Sequence, residues 1–173
     1  MIEKAYLVLG SNLGDREGLL ANAKSKLAAY GSVVAFSKLY LTRPYGYLDQ
    51  PDFVNGAVCL ETEMSPWDLL REIKSVEREL GRQKKFDWGP RIIDIDIALW
   101  GSRNIESPEL IIPHPGLPMR DFFLVPLLDI IPLAVHPITG KRLNAHLAEI
   151  TKMDRTVYGV TEDERWQSIN TSL

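Results

Sequence analysis

The sequence contains a single cysteine, Cys59, among its 173 residues, which excludes an internal disulfide. No stretch reaches the roughly 18 consecutive apolar residues that predict a membrane-spanning helix. The first residues include Glu3 and an apolar run too short for the hydrophobic region of a secretory signal. Because lone free cysteines are typical of reducing compartments, we expect a cytoplasmic protein without a membrane partner.

Neither sign of charge dominates, since 20 Lys and Arg against 23 Asp and Glu give a net charge of −3. The basic footprint of a general nucleic-acid binder is therefore missing, and no nucleic-acid partner is expected. Hydrophobic residues make up 45% of the chain and charged residues 25%, which argues against a disordered or coiled-coil protein. The length suits one domain whose core is large enough to fold without a structural metal.

The pattern of apolar residues predicts an α+β fold. Four runs rich in apolar and β-branched residues predict strands: 4–10, 32–42, 53–63 and 92–100. Two helices are predicted between them: 16–30, with Asp15 as its N-cap, and 65–80, with Ser65 as its N-cap. The resulting order, βαββαβ, indicates a ferredoxin-like core, an antiparallel sheet with helices on one face.

Extra C-terminal elements are expected beyond this core. Residues 110–113 predict a short strand, and 121–131 predict a helix interrupted by Pro126. From Met153 onward the chain is polar and mixed, and both a helix and a loose tail stay open. We therefore divide the chain into a domain over 1–151 and a C-terminal extension over 152–173 to which no role is assigned.

The fourth predicted strand alternates acidic and β-branched side chains. Asp94 and Asp96 share one of its faces, because successive side chains of a strand point to opposite sides. The opposite face, towards the core, carries Ile93, Ile95 and Ile97. Two carboxylates on a rigid strand suit Mg²⁺, which proteins hold through one or two carboxylates together with substrate phosphates. A solvated strand face is the alternative, but the basic loop directly before the strand favours a metal.

That basic loop combines cationic and aromatic side chains: Arg82, Lys84, Lys85, Phe86, Trp88 and Arg91. Cations beside a magnesium site suit a polyphosphate, because metal and Arg or Lys then share its oxygens. An ordinary charged surface loop is the alternative. The turn over 10–14 lacks the Gly-Lys-Ser/Thr of a Walker A motif, which excludes a P-loop nucleotide site.

Residues 88–96, WGPRIIDID, resemble the signature of 6-hydroxymethyl-7,8-dihydropterin pyrophosphokinases, enzymes of the folate pathway. Further motifs match in the family's order: 10–14, 42–46, 49–55, 112–115, 122–124 and 136–137. The resemblance covers roughly residues 4–147. It implies that the chain transfers the terminal pyrophosphate of ATP to the hydroxymethyl oxygen of the pterin and releases AMP.

The resemblance also implies the residues that carry this reaction. Asp94 and Asp96 match the residues that hold two Mg²⁺ ions, and with Arg82 and Arg91 they form the implied catalytic set. The residues implied around ATP, the co-substrate, are Glu77, Arg82, Lys84, Arg91, His114 and Arg120. The two loops over 43–52 and 82–91 are expected to close over the site.

For the pterin, the resemblance implies a sandwich between two aromatic rings and a polar contact to the amide edge. The implied residues are Thr42, Pro44, Tyr45, Phe53, Asn55, Trp88 and Phe122. Structural alternatives stay open for four of the site residues. The phenylalanines suit an ordinary core, Asn55 suits a bulge or turn, and His114 suits a loop.

Two positions depart from the family's pattern, because Lys84 and Asp87 stand where many relatives carry arginine. Lysine lacks the bidentate guanidinium contact, so we expect weaker ATP binding or slower loop closure. Two other functions stay open: a non-catalytic relative that binds nucleotide or pterin, and a magnesium-dependent nuclease or nucleotidyl transferase. The retained charged residues argue against the first and the net charge against the second. We expect a monomer or a weak homodimer.

Overall fold

The computed structural model describes residues 1–83 and 86–168. The main sheet contains six strands: β1 (Glu3–Ser11), β2 (Ser32–Phe36), β3 (Leu39–Thr42), β4 (Phe53–Thr62), β5 (Asp94–Trp100) and β8 (Val157–Thr161). A separate two-stranded sheet contains β6 (Ile105–Glu106) and β7 (Ile111–Ile112). The α-helices are α1 (Arg16–Leu27), α2 (Pro66–Glu79), α3 (Asp121–Ile130), α4 (Leu143–Glu149) and α5 (Glu164–Gln167).

The strand pairings confirm the predicted α+β, ferredoxin-like class. The order in the main sheet is β5-β1-β4-β3-β8, with β2 also paired to β4, and these pairings are antiparallel. The prediction of one strand over 32–42 was wrong, because the run divides into β2 and β3 at Ser37. There the side-chain hydroxyl, instead of the backbone carbonyl, accepts from the Ala57 amide. The Ser37 carbonyl accepts from the indole of Trp166, which interrupts the regular ladder.

Helices cover both faces of the sheet. The face that carries Ile93, Ile95 and Ile97, as predicted, packs against the apolar sides of α1 and α2. Val8 and Ala57 belong to the opposite face, which the C-terminal helices α3 and α4 cover. The acidic side chains of β5 alternate with its isoleucines, so they open towards the second face.

The two helix starts follow the predicted capping chemistry. Asp15 caps α1 by accepting from the Gly18 amide at 3.2 Å, and Ser65 caps α2 by accepting from the Asp68 amide at 3.1 Å. Pro66 occupies the first turn of α2, where a missing amide proton costs no helical hydrogen bond.

The C-terminal half differs from the prediction in two places. Helix α3 continues through Pro126 instead of being interrupted there. Residues 157–161 form an edge strand on β3, so a helix or a loose tail was wrong for this stretch. Helix α5 then inserts Trp166, 2% exposed, into the core between the sheet and α1. Among the described residues, no helix has both the length and the apolar character needed to span a membrane.

Candidate active site

A cavity of about 360 Å³ opens beside the ends of β1, β4 and β5, between the two long loops and the start of α3. It brings together most of the residues selected from the sequence: Thr42, Tyr45, Phe53, Asn55, Trp88, Arg91, Asp94, Asp96, His114, Arg120 and Phe122. Pro44 is buried beside it, and Glu77 and Arg82 lie behind its acidic wall. Lys84 falls outside the described residues.

The acidic wall is formed by β5. Oδ2 of Asp94 lies 2.9 Å from Nη1 of Arg91, and Oδ1 lies 3.4 Å from Nη2 of Arg82. Asp96 is placed two residues further along the same strand face, with its Oδ1 3.9 Å from Nε2 of His114. The wall therefore carries two carboxylates flanked by two guanidinium groups and an imidazole.

The environment of Asp96 disfavours its charged form and would favour a bound cation. Burial at the base of the cavity, together with the negative charges of Asp94 and Glu77, raises its pKa to about 7. The described residues contain no group of three or more His, Cys, Asp or Glu able to form a complete protein cage for a metal. Two carboxylates open to a ligand instead fit Mg²⁺, which completes its coordination with phosphate oxygens and water.

Arg82 is held from behind by a buried glutamate. Oε2 of Glu77 lies 2.6 Å from Nη1 of Arg82, and the Ile95 amide donates to the same oxygen at 3.4 Å. Burial raises the pKa of Glu77, which is 1% exposed and also pairs with Lys74 at 3.1 Å. Glu77 thus fixes Arg82 against the back of Asp94 instead of lining the cavity itself.

His114 is neutral at pH 7, because burial and the charge of Arg120 lower its pKa to about 4. The Gly116 amide donates to Nδ1 of this ring at 3.0 Å, so the proton of the neutral ring is on Nε2. That N–H faces the acidic wall, where it is able to donate to an anionic ligand. Arg120 lies close by, with its guanidinium 5.0 Å from the ring of Trp88 and 5.1 Å from that of Tyr45.

The opposite side of the cavity is aromatic with one buried polar pair. Nδ2 of Asn55 donates to Oγ1 of Thr42 at 2.9 Å, and the two residues are 6% and 1% exposed. A Cβ on Gly10 would lie 2.5 Å from Oδ1 of Asn55, so glycine is required for the amide to rest across β1. Phe53 and Phe122 also line the cavity.

The two loops over the cavity contact each other. The rings of Tyr45 and Trp88 lie 5.5 Å apart, and Nε2 of Gln50 donates to the Trp88 carbonyl at 2.7 Å. Asn12, 2% exposed, donates from Nδ2 to Oε1 of Gln50 at 2.9 Å and accepts the Arg91 amide at 2.8 Å. The loops are therefore joined at their bases and their tips beside the mouth of the cavity.

A model of the family described as 7,8-dihydro-6-hydroxymethylpterin-pyrophosphokinase (HPPK) matches residues 6–132 of this chain. The chain belongs to the HPPK family. It is 42% identical over 146 residues to the 2-amino-4-hydroxy-6-hydroxymethyldihydropteridine pyrophosphokinase of Aquifex aeolicus, covering 84% of this chain and 91% of that one. The enzyme of the same name from Bacillus subtilis is 44% identical over 128 residues, covering 73% of this chain and 77% of its own.

Other HPPK relatives are much longer proteins. The folic acid synthesis protein fol1 of Pneumocystis carinii is 42% identical over 153 residues, which are 88% of this chain and 21% of that protein. The crystal structure of wild-type HPPK-DHPS from Plasmodium falciparum aligns with a TM-score of 0.68 at 18% identity, covering 86% of this chain and 45% of that one. At that identity the structural likeness supports the shared fold.

Five further residues line the cavity that the sequence analysis did not select as site residues: Val8, Gly10, Arg43, Gly89 and Phe123. Gly10, Arg43, Gly89 and Phe123 lie within the motifs that resemble the HPPK family, which is the signal that marks them. Val8 lies outside these motifs and packs in the core beneath α3 and α4, so its apolar character gave no functional signal. Asp87, noted as a departure from the HPPK pattern, also lines the cavity.

Proposed function

We propose that this protein transfers the pyrophosphoryl group of ATP to the hydroxymethyl oxygen of 6-hydroxymethyl-7,8-dihydropterin and releases AMP, a step of folate biosynthesis. The arrangement of one row of residues carries the proposal. Asn55 is paired with Gly10, and Gly10 with Asp94, across three neighbouring strands. Their Cα atoms are thus about 10 Å apart, twice the ~4.8 Å strand spacing. A bicyclic ring held at Asn55 directs its substituent to the acidic wall.

Asp94 and Asp96 are the residues that would hold Mg²⁺, and two ions are expected. When bound, magnesium polarises the phosphoryl oxygens and favours ionisation of the attacking hydroxyl. The shared strand face of the two aspartates and the raised pKa of Asp96 support this assignment. Asp96 would bind the cation only as a carboxylate, so a protonated Asp96 would have to lose its proton for the metal to bind.

The cationic side chains then take the phosphate oxygens. Arg91 pairs with Asp94, and its guanidinium would bind the triphosphate once a cation held by that carboxylate had replaced it. Arg82 remains tied to Glu77, so it stays as a fixed positive charge behind the wall. The neutral His114 donates from Nε2, and Arg120 adds a second guanidinium at the start of α3. Preorganised donors of this kind stabilise charge as it moves to the leaving AMP.

The aromatic side orients the acceptor. Phe53 and Phe122 suit a flat pterin ring between them, and stacking adds about 0.5–1.5 kcal/mol beyond area burial. The Asn55 amide, held by Thr42, offers a donor and an acceptor to the pterin edge. Trp88 and Tyr45 cover the cavity from the loops and exclude water during transfer. Holding the hydroxymethyl oxygen in line with the triphosphate is the main contribution of this side.

Incubation of the protein with ATP, Mg²⁺ and hydroxymethyl-dihydropterin tests the function, with AMP measured by chromatography. AMP release that requires the pterin supports it. ATP and pterin binding without AMP would point to a non-catalytic relative, and AMP release without pterin would point to a hydrolase. A cytoplasmic location, a monomeric or weakly dimeric state and no nucleic-acid partner complete the proposal, and membership of the HPPK family gives no support to a nuclease.

A further inference from the structure

Three residues of the C-terminal segment, 156–158, each contact the main body directly beside a pterin-side residue. Their contacts fall on Asp121, Arg43 and Asp52. In the chain, Asp121 precedes Phe122, Arg43 follows Thr42, and Asp52 precedes Phe53. The segment lies beyond residues 6–132, the stretch that the family model matches. The segment therefore contacts the chain neighbours of three pterin-side residues, and it does not itself line the cavity.

The contact with Asp121 is the most buried of the three. This carboxylate is 2% exposed and begins α3. Its Oδ2 accepts from the amides of Thr156 at 2.7 Å and Val157 at 2.8 Å, and its Oδ1 accepts from the Thr156 hydroxyl. Three donors on one buried carboxylate fix both the start of α3 and the direction in which Phe122 leaves it.

The other two contacts fix the ends of the loop over 43–52. The Arg43 amide donates to the Thr156 carbonyl at 2.9 Å, and the Arg43 guanidinium lies 5.5 Å from the Tyr158 ring centre. The Tyr158 hydroxyl donates to Oδ2 of Asp52 at 2.6 Å. One short strand thus holds the start of the loop, after Thr42, and its end, before Phe53.

The segment is itself anchored beyond the strand. The Trp166 indole donates to the Ser37 carbonyl at 2.8 Å, and Lys24 donates to the carbonyls of Trp166 and Ser168. Lys24 is 4% exposed and also lies 3.8 Å from the Phe36 ring centre. Arg165 adds an exposed ion pair to Asp15, the residue that caps α1. The strand is thereby fixed at its C-terminal end to the sheet and to α1.

We propose that residues 156–158 are a positioning element for the pterin, with Asp121 as the central positioning residue. This rests on the proposed function, because it assigns the acceptor to the aromatic side. Residues 156–158 hold Thr42, Phe53 and Phe122 at one relative geometry, so the ring is bound in a slot that is formed before the substrate enters. Contacts that hold the binding side chains from outside determine how accurately those side chains are positioned for the ligand.

The test compares variants of the full chain by steady-state kinetics and by pterin binding. Asp121→Ala should raise the pterin KM and Kd about tenfold, the effect of losing roughly 1.4 kcal/mol of binding, with the ATP KM changed less than twofold. Thr156→Val and Tyr158→Phe each remove one hydroxyl contact and should raise the pterin KM by a smaller factor in the same direction. If Asp121→Ala does not fold, these two variants still test the proposal.

Arg165→Gln is the matched control, because it breaks an exposed ion pair of the same segment in which neither partner lines the cavity. It should lower the melting temperature without changing the pterin KM. Equal pterin KM values in the Asp121, Thr156 and Arg165 variants, or a pterin and an ATP KM that rise together, would overturn the proposal.

Amide hydrogen exchange separates this proposal from the proposed function. Asp121→Ala and Thr156→Val should speed exchange in residues 42–45, 52–54 and 121–124, and Arg165→Gln should not. This readout needs no turnover, so it applies even if the wild-type chain releases no AMP, the result that would refute the function alone. Unchanged exchange in these three stretches would show that residues 156–158 do not hold them.

Discussion

Nη1 of Arg91 lies 2.9 Å from Oδ2 of Asp94, so one of the two proposed metal ligands is already paired with a cation of the same site. Arg82 approaches the other oxygen of Asp94 at 3.4 Å. Asp96 instead faces a neutral imidazole, that of His114, at 3.9 Å. The two aspartates share a strand face but differ in their partners. The charge of Asp94 is compensated by two arginines, whereas Asp96 has only a neutral imidazole nearby.

Replacing either aspartate should abolish most of the activity without unfolding the protein. Asp94→Ala and Asp96→Ala should each lower kcat by about 10³-fold or more, because a catalytic metal supplies several kcal/mol of charge stabilisation. AMP release at saturating magnesium measures this, with circular dichroism as the check on folding. Asp68→Ala, which changes a half-exposed acid on α2, is the control and should keep wild-type turnover. Near-normal turnover of either site variant would contradict the metal assignment.

The raised pKa of Asp96 predicts a pH-dependent stability. Burial and the neighbouring carboxylates of Asp94 and Glu77 raise this pKa from 3.8 to about 7, so between these values the folded protein binds a proton that the unfolded chain has lost. The free energy of unfolding therefore falls as the pH rises through this window. Asp96→Asn removes the effect, so its stability advantage over wild type should grow from pH 4 to about 7 and then stay level.

The expected size of this advantage is modest, because 33% of the Asp96 side chain is exposed to the cavity. At pH 8 without magnesium we expect at least about 1 kcal/mol, or ~2–4 °C in melting temperature for a chain of this length. Thermal melts across the pH range provide the measurement. An advantage of the same size at pH 4 and pH 8 would count against the raised pKa.

The hydrogen bond between Asn55 and Thr42 predicts a pair of variants with different effects on the pterin. Thr42→Val removes the hydroxyl that holds the Asn55 amide and should raise the pterin KM about fivefold to tenfold, as expected for one buried hydrogen bond worth ~1 kcal/mol. Thr42→Ser keeps the hydroxyl and should stay within twofold of wild type. If serine and valine behave alike, the hydroxyl does not position Asn55.

Gly116 is predicted to position Arg120 by leaving space for it. A Cβ on Gly116 would lie 2.7 Å from Cζ of Arg120, so Gly116→Ala must displace a guanidinium that also packs near Tyr45 and Trp88. We expect the ATP KM to rise about tenfold, a loss of ~1.4 kcal/mol. The backbone of Gly116 has an ordinary helical φ of −80°, so alanine introduces no strain there.

A double-mutant comparison tests whether Gly116→Ala raises the ATP KM through Arg120. In an Arg120→Ala background, Gly116→Ala should change the ATP KM no further, because its target is already absent. Additive effects of the two substitutions would show that Gly116 acts on something other than Arg120.

Local patterns predicted the elements that local chemistry controls. The alternation of Asp94, Ile95 and Asp96 correctly separated a core face from a cavity face, because side-chain direction in a strand depends on sequence position alone. The caps Asp15 and Ser65 could also be predicted, because each contacts an amide only three residues away in the chain. The prediction failed at Ser37, where partners 20 and 129 residues away divide the strand.

By itself, the sequence determined the α+β class, the acidic strand and most of the residues that meet in the cavity, because these follow from short-range periodicity and from contiguous motifs. Only the tertiary structure decided that Glu77 lies behind Arg82, that Arg91 already pairs with Asp94, and that residues 157–161 complete the sheet. The physical reason is that strand pairing and buried charge pairing join groups far apart in the chain, and their partners are chosen by packing that no local pattern encodes.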